Sequence, residues 1–140
     1  MGTGCALYTE EKTFSVSQVQ ALFRSVGWVS ADCPTRLHKA LIHSQTVFTA
    51  WDGEKLVGLA RVLDDSELVA YLHYVLVDPQ YHGQGIAGHL VELIKDKYKN
   101  YLYIEGMPEE SKNIAFYENH GFQRMPDAGA IQICNFSNKV

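Results

Sequence analysis

The sequence predicts a mixed α+β fold, a sandwich of helices around a central mixed sheet. Three features carry that expectation. Apolar residues recur at helical spacing as far as Leu41. From Thr46 to Val77 they form β-rich runs broken by two turn signals. After Asp78-Pro79 the order becomes helix, strand, helix, strand. The chain has 140 residues, within the usual single-domain range of roughly 100–150. Residues 1–140 are therefore expected to form one domain.

Gly4 to Thr9 reads as a short first strand. Ser15 with Gln18 makes a capping box that opens a helix. Val16, Val19, Phe23 and Val26 lie on one stripe, and Gly27 ends the run. Pro34, favoured in a first helical turn, starts a second helix with Leu37, Ala40 and Leu41 toward the core. Thr46 to Trp51 is the next strand, Asp52-Gly53 its hairpin turn and Lys55 to Leu63 the return. Asp64 to Ser66 turns the chain again. Leu68 to Val77 is apolar or aromatic at nearly every position, which predicts burial on both faces. A helix follows from Gly85 to Tyr98, with Ile86, Leu90, Leu93 and Lys97 on one stripe, widened by Val91 and Ile94. Tyr101 to Ile104 is a strand cut by Gly106 and Pro108. Ser111 caps a last helix that stops at Gly121, and Ala130 to Phe136 is a final strand.

Hydrophobic residues make up 46% of the chain and charged residues 20%, ordinary globular values that exclude wholesale disorder. The formal net charge is −4 and the pI about 5.8. No overall positive field draws the chain to nucleic acid or an anionic membrane, so neither is expected as a partner. No run approaches the roughly 18–20 apolar residues of a membrane span, and the first ten residues lack a signal-peptide pattern. Cys5, Cys33 and Cys134 are odd in number and scattered, so no disulfide framework or metal pair is expected. Each reads as a small buried apolar residue, and the chain as cytoplasmic. The histidines show no metal-ligand grouping, and no metal is expected.

The chemistry concentrates after the central strand, in Gln80-Tyr-His82-Gly83-Gln84-Gly85-Ile86-Ala87-Gly88. A buried strand runs into a glycine-rich turn that opens a helix. Gly83 and Gly85 let backbone amides approach an anion closely, and the helix's unpaired first-turn N–H groups point at it. A plain tight connection is the alternative. Gly83 to Gly88 also reads as G-x-G-x-x-G, the dinucleotide fingerprint, with Glu105 near the position of a ribose ligand. That fingerprint follows its strand at once and opens a parallel βαβ half. Here Asp78 to His82 intervene and an antiparallel meander precedes.

The same residues fit [QR]-x-x-G-x-[GA]. Some thirty residues on comes Asn113-Ile-Ala115-Phe116-Tyr117-Glu-Asn-His-Gly121-Phe122. On these two motifs, in this order, the chain resembles the GCN5-related N-acetyltransferase (GNAT) family over nearly its whole length. The resemblance implies a splayed central sheet with helices on both faces. It implies acetyl-CoA as co-substrate, with its pantetheine arm between Leu68–Val77 and Tyr101–Glu105. Backbone groups at Val75, Leu76 and Val77 would hold that arm and polarise the thioester carbonyl. Main-chain N–H groups of His82, Gly83, Gln84, Gly85, Ile86 and Ala87 would wrap the pyrophosphate. Gln80 departs from the family's frequent Arg and removes one charge-assisted contact. Gly88 reads as a helix-packing residue.

Tyr117 aligns with the family's tyrosine that protonates the departing thiolate, with aromatic packing as the other reading. Asn113 would bond the cofactor arm and Phe116 would line its groove. Glu105 and His73 are the two candidates for the base that deprotonates the amine. Trp28, Arg61, Tyr71 and Tyr74 are candidate walls of the acceptor pocket. The implied activity is direct transfer of acetyl from acetyl-CoA to a primary amine of a small molecule or peptide, with no covalent enzyme intermediate. A homodimer is common in that family. A nucleotide-binding oxidoreductase and a CoA-binding regulatory module without transfer activity are the competing readings.

Overall fold

The computed structural model describes residues 6–108 and 110–138. Its strands are β1 (Leu7–Thr9), β2 (Thr46–Asp52), β3 (Lys55–Asp64), β4 (Val69–Val77) and β5 (Tyr103–Gly106). Its helices are α1 (Val16–Ser25), α2 (Pro34–Ile42), α3 (Ile86–Lys97) and α4 (Ile114–Glu118). The strands form one sheet in the order β1-β2-β3-β4-β5. β1 to β4 are antiparallel neighbours, and β5 joins β4 in parallel after the α3 crossover. This mixed sheet is not the doubly wound parallel sheet of a dinucleotide domain.

Helices cover both faces. Val19, Leu22 and Phe23 of α1 and Leu37 and Leu41 of α2 pack with Val47, Leu59 and Leu76. Ile86, Leu90 and Ile94 of α3, with Tyr98, pack on Val57, Ala60, Val62 and Ala70. Leu22, absent from the expected α1 stripe, is 1% exposed, because the buried face spans more than one residue per turn. Ala40 is only half-buried. α1 begins with the expected capping box: the Gln18 N–H donates to Ser15 Oγ at 3.1 Å, and the Ser15 N–H to Gln18 Oε1 at 2.8 Å. Gly58 on β3 lets α3 lie close, since a Cβ there would stand 2.9 Å from Ile86 Cγ2.

Four expectations change. β5 begins two residues late, because Tyr101 closes a turn on the Tyr98 carbonyl and packs edge-on against that ring. β4 is not buried on both faces: His73 is exposed and Tyr71, Tyr74 and Val75 are half-buried, because β5 covers only its first half. Residues 130–136 form no strand; Ile131 is 96% and Ile133 89% exposed, and no strand pairs with them. That segment docks instead at its end, where Arg36 Nη1 donates to the Asn138 carbonyl at 2.5 Å. Cys134 is exposed and Cys33 half-buried, so neither is a core residue, and Cys5 lies outside the described residues.

Candidate active site

The register of β4 with β5 ends at Leu72, opposite Gly106. β4 then runs on from His73 to Val77 beside β3 alone. β5 itself ends at Gly106, and a groove of about 830 Å³ opens beside the unpaired part of β4. Tyr71, His73, Val75, Glu105 and Tyr117 all line it. A bulge interrupts the β3–β4 pairing at the same point. Arg61 pairs with Tyr74 and Val62 with Leu72, which leaves His73 as the extra residue of β4. Bulges re-aim side chains. Here Leu72 packs on the α3 side of the sheet while Tyr74 packs on the α1–α2 side.

At the end of β4 the chain turns into α3. Asp78 caps that turn by accepting from the Gln80 N–H at 2.9 Å. His82 Nε2 donates back to the Val77 carbonyl at 3.1 Å and pins the turn to the strand end. Gly83 and Gly85 have φ of +83° and +77°, a conformation that glycine adopts without strain. Nothing stands within 4 Å of a Cβ built at either position, so the concave side is open. The first bonded amide of α3 is that of His89, which donates to the Gly85 carbonyl at 3.0 Å. Among the described residues, the N–H groups of residues 83–88 meet no protein acceptor. Such a row of free donors at a helix start fits a phosphate. Ile86 contributes its amide only, since its side chain is buried in the core. Lys55, which lies in neither sequence motif, adds a cation from the β2–β3 hairpin. Its Nζ lies 3.4 Å from Asp78 Oδ2 and donates to Gln80 Oε1 at 3.3 Å.

The second motif is a helix stop. α4 follows a 3-10 turn at Ser111–Asn113 and is only one turn longer. The Gly121 N–H donates to the Glu118 carbonyl at 3.0 Å, and the Phe122 N–H to the Tyr117 carbonyl at 3.1 Å. With Gly121 at φ +91°, this is the Schellman pattern. It explains the spacing Tyr117-x-x-x-Gly121-Phe122, because the pattern brings those two aromatic rings together, 5.5 Å apart and edge-on. α1 stops likewise at Gly27-Trp28, with Trp28 against Phe23. Tyr117 is thus fixed at the groove wall, and burial pushes its phenol up to about 12. Asn113 and Phe116 are not brought to the groove. Asn113 is exposed, and Phe116 packs on Tyr117 and His120.

Beside the groove, on the α1–α2 side, Arg61 Nη1 donates to His73 Nδ1 at 2.8 Å and Arg61 Nε to Ser44 Oγ at 2.8 Å. Tyr74 shares a hydrogen bond with Ser30 at 3.0 Å and stands against Trp28 with ring centres 5.6 Å apart. Burial, and then the Arg61 charge, lower the His73 pKa. Neither Ser44 nor Ser30 carried any signal in the sequence. Among the described residues no group of three His, Cys, Asp or Glu side chains could hold a metal, and no helix is long and apolar enough to cross a membrane.

Residues 12–122 match the model of the Acetyltransferase (GNAT) family. GCN5-related N-acetyltransferase 2, chloroplastic, of Arabidopsis thaliana is 30% identical over 142 residues, covering 86% of this chain and 55% of that protein. The chain spans about half the length of the curated relatives it first matches. An acetyltransferase of the GNAT family from Streptococcus pneumoniae TIGR4 has a TM-score of 0.79 at 26% identity, covering 93% of this chain and 98% of that one. A structure from Deinococcus radiodurans R1 reaches 0.83 at 17% identity over 99% and 94% of the two chains, a likeness of fold.

Proposed function

This chain belongs to the acetyltransferase (GNAT) family, and we propose that it carries acetyl from acetyl-CoA directly to a primary amine. The observation that supports this most is the stretch of β4 after Leu72 that β5 leaves unpaired, with the free amides of residues 83–88 at the end of β4. Residues 83–87 would receive the pyrophosphate on main-chain N–H groups; the His82 N–H, expected among them, already donates to the Pro79 carbonyl at 3.2 Å. The backbone of β4 at Val75–Val77 would hold the pantetheine arm, and one of its N–H groups would meet the charge that develops on the thioester oxygen. No metal enters this scheme.

Glu105 is the base we favour. His73 Nδ1 already accepts from Arg61, which has only donors. The neutral ring therefore keeps its proton on Nε2 and has no free acceptor nitrogen to offer an amine. Glu105 presents an acceptor to the groove. It takes the proton that the amine loses as the new N–C bond forms and the C–S bond breaks, either directly or through water. Tyr117 holds its proton throughout the working range and donates it toward the leaving sulfur. A phenol raised to about 12 is a weaker acid than an ordinary thiol near 8.5. Its donation is thus a hydrogen bond that strengthens as sulfur gains charge.

Calorimetry with acetyl-CoA and with NADH, followed by an amine panel read by CoA thiol release, tests the proposal. Acetyl-CoA binding together with amine-dependent thiol release is expected. NADH binding without acetyl-CoA binding would overturn it, and acetyl-CoA binding with no release on any amine would favour a regulatory module.

A further inference from the structure

Arg61 is a half-buried cation without a counter-charge. Among the described residues no carboxylate lies within ion-pair distance of it. Its partners are all neutral: Ser44 Oγ on Nε, His73 Nδ1 on Nη1, and the Tyr74 ring, whose centre lies 5.4 Å from Cζ. Ser44 is itself buried and locked, its Oγ donating to the Ala40 carbonyl at 2.8 Å. Among the described residues Nη2 has no hydrogen-bond partner, yet no fully buried side-chain nitrogen is left unsatisfied, so Nη2 keeps some exposure to solvent. A second cation tightens the puzzle. Lys12 Nζ donates to the carbonyls of Ile42 and Ser44, on the same segment.

Burial lowers the Arg61 pKa, but a guanidinium stays charged at any working pH. In a chain of net charge −4, a partly desolvated arginine with no carboxylate is costly unless something else supplies the anion. Arg61 does not itself line the groove, but its hydrogen-bonded neighbour His73 does, so the guanidinium lies one side chain from the place where an acceptor must sit. The planar fork suits carboxylate and phosphate oxygens.

We propose that the acceptor amine carries an anionic group, a carboxylate or a phosphate, which binds the open edge of Arg61 beside His73. This rests on the reading of the groove as an acetyl-transfer site. Arg61 then fixes the acceptor by its anion, and Tyr71 and Tyr74 flank it as aromatic walls.

Matched acceptors separate the sources of the anion: tyrosine against tyramine and tryptophan against tryptamine for carboxylate, glucosamine 6-phosphate against glucosamine for phosphate. In wild type the anionic member of at least one pair should exceed its neutral partner in kcat/KM by roughly 10- to 100-fold, the scale of a hydrogen bond to a charged group. Arg61→Gln should bring that ratio close to one while acetyl-CoA affinity, read by calorimetry, stays unchanged. Equal use of both members by wild type overturns the proposal. So does an Arg61→Gln variant that slows both members alike, because Arg61 would then serve only to orient His73. An independent readout is the side-chain 15N signal of Arg61, assigned by its loss in Arg61→Gln. It should move on titration with tyrosine or glucosamine 6-phosphate and stay still with tyramine or glucosamine. A moving signal without turnover on any amine would mean that the transfer reading fails and the anion site stands. An unmoved signal with amine-dependent thiol release would mean the reverse.

Discussion

Gly88 on α3 and His120 at the end of α4 touch across the fold: a Cβ at position 88 would stand 3.1 Å from His120 Nε2. The same imidazole meets Glu92 Oε2 through Nδ1 at 2.6 Å. The last glycine of the cradle run therefore also serves packing. It gives the α4 stop, and with it Tyr117, a fixed seat on α3.

Gly88→Ala should push the His120 ring by a few tenths of an ångström and tilt the turn that carries Tyr117. The gain in helix propensity, about 1 kcal/mol, should offset the crowding, so Tm should change little while kcat falls several-fold. Wild-type kcat in Gly88→Ala would mean that this contact does not set the position of Tyr117.

Tyr117→Phe keeps the ring against Phe122 and removes the hydroxyl. Steady-state thiol release should slow by roughly 10²-fold, in kcat and kcat/KM together. Acetyl-CoA affinity should be unchanged. Near-normal turnover would return Tyr117 to a packing role.

The same residue has a pH signature. Its folded pKa, pushed up to about 12, lies above the ordinary value near 10. The neutral form is thus favoured in the native state. Its contribution is fully present below about pH 10 and is lost as pH rises toward 12. Thermal melts from pH 9 to 11 should fall less steeply for Tyr117→Phe than for wild type. Parallel slopes would show that burial does not raise this phenol. Below pH 10 the wild-type rate should show no alkaline limb from Tyr117.

Gly85→Asp should abolish acetyl-CoA binding, since it sets a carboxylate at the anion cradle. Left-handed backbone strain is a confounder, because φ at Gly85 is +77°. Gly27→Asp is the control: φ there is +72° with open space around it, at the end of α1, which packs on the opposite face of the sheet from α3. Calorimetry should show loss of binding for the first variant and wild-type affinity for the second. Equal affinities would remove the cradle from the site.

Tyr98 anchors the opposite end of β2 and β3. Its hydroxyl lies 2.6 Å from Thr46 Oγ1 and donates to Asp64 Oδ2 at 2.7 Å, with the residue 2% exposed. Tyr98→Phe leaves a buried threonine hydroxyl without its partner, which should cost about 1–3 kcal/mol. Denaturant melts should show that loss with no change in acetyl-CoA affinity. An unchanged midpoint would mean that water replaces the phenol.

Local chemistry was legible in the sequence. The Ser15–Gln18 capping box, the hairpin at Asp52-Gly53, the glycine turn before α3 and the Gly121 stop are decided by residues close together in the chain, so their spacing alone carries them. The three-strand meander and the α3 crossover followed from changes of hydrophobic period. What the sequence could not decide was pairing and its absence. Residues 130–136 have a strand's composition, yet they form none, because a strand needs a partner edge and none reaches them. The end of β4–β5 pairing at Leu72 makes the groove, and a bulge leaves His73 as the extra residue of its strand. The bond between Arg61 and His73 joins neighbouring strands, and Ser44 reaches Arg61 from the end of α2. These depend on register, which is a property of two strands at once. A one-residue bulge changes which face a side chain meets without changing any local propensity.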